Sequence, residues 1–132
     1  MPALRRSGSL TSRTPRPRRL IQPAYELHVP DFFVLEVHSV FCKRIRRGEL
    51  TVSEAAAARV VLRELAVLPH PSLLLLDSAY EIANQTGGGL YDSLYVALAV
   101  ALDVPVITAD RRLYDGLSHG PFRRFVSWVE DL

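Results

Sequence analysis

At 132 residues the chain is one domain's worth, long enough to bury a core without disulfides. Its 48% apolar and 8% aromatic content is that of a globular protein, and a single cysteine, Cys42, excludes an internal disulfide scaffold and fits a reducing cytoplasm. The net charge of +2 hides an asymmetry: residues 1–19 carry six arginines and no acid, leaving 10 basic against 14 acidic groups in the rest, so basicity alone argues for nucleic-acid binding only by the head.

Residues 1–19, rich in Ser, Thr, Pro and Arg, show no helix or strand period and read as a disordered basic segment. No apolar stretch follows Arg5 and Arg6, as a secretory signal would need, and no apolar helical face supports a transit peptide. Residues 20–132 read as the folded domain. Leu20–Leu27 reads as the end of a helix and His28–Pro30 as a short extended lead.

Asp31 is the expected N-cap of a helix running to about Arg47, with Phe33, Val37, Val40 and Phe41 as its apolar stripe. Thr51 and Glu54 form a capping-box pattern that opens a second helix through about Ala66. Pro69 and Pro71 break the chain before a third helix, Leu73–Gln85. Gly87–Gly89 closes that helix as a turn; no strand precedes it and no Lys-Ser/Thr follows, which excludes a phosphate loop. Leu90–Leu102 is apolar nearly all round. It is too short for a bilayer, which needs about 20 residues, and is expected to be a buried helix. No membrane association is expected. Val104–Thr108 has the composition of an interior parallel strand, Asp110–Leu117 of a short helix, and Phe125–Val129 of a last strand.

Three acids stand out. Glu36 lies on or beside an apolar stripe, where a carboxylate needs a partner or a metal; the alternatives are that it points outward or pairs with an arginine. Asp92 opens the apolar helix, where capping is a sufficient explanation. Asp110 follows a buried strand at the sheet edge where ligands bind in open α/β folds, and it too could simply cap the helix that follows. The four histidines (28, 38, 70, 119) show no zinc-ligand spacing, and Ser93 lacks a base partner for nucleophilic chemistry.

Read together, the segments P-D-F-F-V-L-E-V, L-Y-D-S-L-Y-V-A-L-A and V-P-V-I-T-A-D-R-R-L resemble the three sequence blocks of PIN-domain proteins. The similarity is greatest to the VapC-type toxins of type II toxin–antitoxin pairs, and it covers about residues 25–132. It implies a three-layer α/β/α fold with a mostly parallel sheet, and endonucleolytic RNA cleavage dependent on Mg²⁺ or Mn²⁺. It assigns Glu36, Asp92 and Asp110 as catalytic, metal-binding carboxylates, with Thr108 orienting a carboxylate or a water. It also implies a cytoplasmic protein partnered by RNA, by a small antitoxin covering the acidic cleft, and by a second copy in a homodimer. Arg111 and Arg112 are the expected RNA contacts nearest the site. Lys43, with Arg44, Arg46 and Arg47, closes the Glu36 helix and suits either the helix dipole or a phosphate.

The chain departs from the family at its start. A first strand bearing a catalytic Asp is expected, and the first acid here is Glu26. The head reads as wrongly started or frame-shifted sequence, with the N-terminal strand missing or replaced. Alternatively Asp31 or, better, Asp115 stands in for the missing oxygen. Two further readings follow: an inactive PIN remnant that only binds antitoxin or dimerises, and an arginine-rich head acting as a nucleic-acid arm.

Overall fold

The structure, a computed structural model, describes residues 3–6 and 25–132. The described elements are β1 (Ala3–Arg6), β2 (Tyr25–Pro30), α1 (Phe33–Arg46), α2 (Val52–Glu64), β3 (Val67–His70), α3 (Leu76–Thr86), α4 (Leu90–Leu102), β4 (Val106–Thr108), α5 (Arg111–Ser118) and β5 (Val126–Trp128). Single 3₁₀ turns, at Ser72–Leu75, Arg123–Phe125 and Val129–Asp131, link or close them.

The strands form one sheet in the order β3-β2-β1-β4-β5. The outer pairs, β2 with β3 and β4 with β5, are parallel, as expected of an α/β fold. The central strand β1 runs antiparallel to both neighbours, so the sheet is mixed. Residues Ala3–Arg6, read from sequence as part of an unstructured head, thus form the central strand of the sheet. Their pairing with β2, and of Ala3 with Val106 of β4, covers edges that would otherwise stand open. Composition gave no hint of this, because a four-residue strand is too short to show a period. The remainder of the expected disordered head, residues 1–2 and 7–19, lies outside the described residues, as do residues 20–24 of the expected helix end. Tyr25–Leu27 belongs to β2, not to a helix.

The capping box at Thr51 forms in full: its hydroxyl accepts from Glu54 N–H while Glu54 Oε2 accepts from Thr51 N–H. Asp31 does not cap α1. Phe32 holds that position, and Asp31 Oδ1 instead accepts from the Ser72 hydroxyl, tying the end of β2 to the turn after β3. The segment around Pro69, expected only to break the chain, pairs in parallel with β2 as β3, an edge strand where a missing N–H is tolerated.

α4 occupies the centre. Ser93–Ala99 is buried without interruption, against α3 through Ala79 and Ile82 and against the sheet through Val106 and Ala3. That all-round burial is why this helix is apolar on every face; a fully buried Leu such as Leu98 contributes about 2 kcal/mol. The opposite sheet face is closed by Leu27 and Ile107 packed with Leu65, Val129 and Leu132. α1 contrasts sharply, since none of its residues is fully buried. Among the described residues, no helix is long and apolar enough to cross a membrane.

Candidate active site

At the carboxyl end of β4 an open cleft of about 360 Å³ is lined by Gly87–Gly89, Asp92, Asp110, Arg112 and Gly116, among others. Gly87 ends α3 in the left-handed conformation (φ 70°), which glycine adopts without strain, and so turns the chain sharply into α4. The glycine turn is therefore a wall of the cleft as well as a connection between helices.

Asp92 stands in the first turn of α4, but it is not the N-cap. Gly89 holds that position, and no side chain caps the helix. Half-burial raises the Asp92 carboxyl above its ordinary value, and the charges of Asp110 and Glu36 raise it further. These three acids, far apart in sequence, thus act on one another electrostatically. Asp110 is the N-cap of α5: its Oδ1 accepts from Arg112 N–H at 2.9 Å and Leu113 N–H at 3.3 Å. The capping expectation is met on one oxygen, which fixes the carboxylate and leaves Oδ2 free of the cap.

Thr108 is 1% exposed, and its hydroxyl accepts from Asp110 N–H at 2.9 Å. It orients Asp110 through the backbone. Glu36 is half-buried and pairs with a tyrosine rather than an arginine: Oε1 accepts from the Tyr95 hydroxyl at 2.9 Å. Burial and the Glu36 charge hold that phenol well above its usual range, so it stays a donor. Tyr95 escaped the sequence reading. Its signal was a polar-tipped ring in an otherwise apolar buried helix, three residues after Asp92, which needs a partner for its hydroxyl.

The other candidates fall less centrally. Arg112 lines the cleft with the two aspartates, whereas the Arg111 guanidinium lies over Trp128, 4.3 Å from the ring centroid. Lys43 is exposed, two turns beyond Glu36 and about 10 Å along α1. Asp115 is exposed on α5 and does not line the cleft. Asp31 is engaged by Ser72. No acid comes from the central strand, which is Ala3-Leu4-Arg5-Arg6. The histidines, unremarkable by spacing, include one pair: His28 Nδ1 and His70 Nε2 meet at 2.9 Å across β2 and β3.

The PIN-domain family model matches residues 10–116. The chain belongs to the PIN-domain family. VapC ribonuclease Mb0985 of Mycobacterium bovis and Ribonuclease VapC9 of Mycobacterium tuberculosis are each 37% identical to it over 98 residues, which is 74% of this chain and 75% of theirs. Ribonuclease VapC3 of Pyrobaculum aerophilum is 34% identical over 103 residues, 76% of this chain and 79% of its own. It is therefore a PIN protein of VapC type, and the expected α/β PIN-like architecture is the one observed.

Divalent-metal dependence is general among VapC-type PIN nucleases. Among the described residues, no three Asp, Glu, His or Cys side chains are grouped closely enough to hold an ion by themselves. Two carboxylates in one cleft nonetheless suit Mg²⁺, which keeps several waters and takes few protein ligands. Burial first, and then repulsion from Asp110 and Glu36, raise the Asp92 carboxyl, and a cation there would offset both.

Proposed function

We propose that this PIN protein is a divalent-metal-dependent endoribonuclease of toxin–antitoxin type, cleaving RNA phosphodiesters by attack of an activated water. The observation that carries the reading is that Asp92 and Asp110 line one cleft, with Glu36 near enough for its charge to be felt at the half-buried Asp92. Asp92 and Asp110 would hold Mg²⁺ or Mn²⁺, with Glu36 adding negative charge nearby. When bound, such an ion lowers the pKa of a coordinated water and neutralises charge building on the phosphate.

The chain's own residues supply position and charge balance. The backbone N–H groups of α5 and the Thr108 hydroxyl hold Asp110 in one orientation. Tyr95 fixes the orientation of Glu36, the carboxylate assigned to accept a proton from water. Arg112, in the cleft wall, is the phosphate contact, and Lys43 is a more distant one. A small antitoxin would silence the site by covering this acidic cleft, with a basic side chain reaching the carboxylates. A homodimer follows from family analogy.

A second reading has its own support. The central strand carries no acid, and among the described residues no three-acid group is formed, as would hold for an inactive remnant that only binds antitoxin or dimerises. Incubation of the full chain with single-stranded RNA and Mg²⁺ or Mn²⁺, beside Asp92→Asn, separates the two. Cleavage by the wild type alone supports the enzyme. Equal activity of the two, or none in either, supports the remnant.

A further inference from the structure

Arg111 directly follows Asp110 in α5, yet it has no acidic partner among the ion pairs of the described residues. Its guanidinium lies over the Trp128 ring, 4.3 Å from the centroid, and 5.9 Å from the Tyr114 centroid. Tyr114 and Trp128 meet edge-on at 5.7 Å, both half-buried, while Arg111 is exposed. Trp128 ends β5 in register with Thr108 of β4, so this stack stands at the same sheet edge as the carboxylates.

We propose that the Arg111–Trp128 stack is a base-binding platform that seats one unpaired nucleobase of an RNA single strand beside the cleft. Trp128 occupies the inner face of the guanidinium and orients it, and Tyr114 buttresses the tryptophan; exposure leaves the outer face to solvent. A planar cation held in this way accepts a base by stacking, as arginine planes do in single-strand RNA recognition. The neighbouring Arg112 lines the cleft and meets the backbone, so adjacent residues divide base from phosphate. An aliphatic ammonium lacks the plane, so lysine at position 111 would keep the charge and lose the platform.

This inference rests on the RNA-cleaving reading for its substrate, but its test does not depend on cleavage. Trp128 is the chain's only tryptophan, so its fluorescence reports on the stack directly. The full chain is titrated, in chelator, with a single-stranded RNA hexamer and with hexamers carrying one abasic position each. Quenching by the intact hexamer is expected, together with loss of quenching and about tenfold weaker binding at one abasic position. Arg111→Gln and Arg111→Lys should both lose that base dependence.

Quenching indifferent to every abasic position, no binding, or wild-type behaviour of Arg111→Lys would each overturn the proposal. Cleavage with Mg²⁺ is measured separately. A chain that cleaves without base-dependent quenching refutes the platform alone, and one that quenches without cleaving refutes the nuclease reading alone.

Discussion

Tyr95 donates its hydroxyl to Glu36 Oε1 at 2.9 Å, and this bond joins the most buried helix of the fold to one that buries none of its own residues. The same contact positions a carboxylate of the candidate site. Removing the hydroxyl leaves a half-buried carboxylate without its donor. Tyr95→Phe is therefore expected to lower stability by about 1–3 kcal/mol and to reduce RNA cleavage. Urea unfolding of the variant gives the first quantity, and kcat against KM the second. The fall should lie in kcat, because a displaced Glu36 acts on chemistry rather than on strand binding.

Asp110 serves two purposes that substitution can divide. Asparagine keeps a cap for α5, whereas alanine loses it at a cost of about 1 kcal/mol. Both variants should fail to cleave RNA, but only Asp110→Ala should show the stability loss in chemical denaturation.

The raised Asp92 carboxyl has a definite sign. Its folded value lies above the unfolded 3.8, so the folded state binds protons more tightly. The associated stability is complete below pH 3.8 and is lost as pH rises through the raised folded value. In metal-free buffer at neutral pH, Asp92→Asn should then melt higher than the wild type, with the gap closing below about pH 4. Mg²⁺ should raise the wild-type Tm and leave that of the variant unchanged.

Much of this site was legible in the sequence, for physical reasons that differ by residue. Asp92 and Asp110 were readable because each interrupts an apolar run at an element boundary, where a carboxylate stands out. Glu36 was readable as an anomaly on an apolar stripe, but its partner was not: Tyr95 lies 59 positions away, and only the fold brings the two together. Burial of α4 followed from its composition. The central place of Ala3–Arg6 did not, because short strands are fixed by the edges they pair with rather than by their own pattern. β3 was hidden by Pro69, and Arg111 looked like a free phosphate contact until Trp128 was seen beneath it.

The His28–His70 contact sets a second pH dependence, remote from the carboxylates. Burial, then the neighbouring His28, lowers the His70 value below 6.5. A histidine depressed in the folded state gives stability that is complete above pH 6.5 and lost as pH falls through its folded value. The two ring nitrogens lie 2.9 Å apart, close enough that a proton on both would set N–H against N–H. Thermal melts between pH 7.5 and 5 should therefore show falling Tm in the wild type and a flatter profile in His70→Asn.

Cleavage of single-stranded RNA by the full chain, with Mg²⁺ or Mn²⁺ against chelator and beside Asp92→Asn, tests the central claim most directly. Metal-dependent fragments from the wild type, absent with chelator and reduced at least 100-fold in the variant, are predicted. The same fragments from Asp92→Asn at the wild-type rate would contradict it.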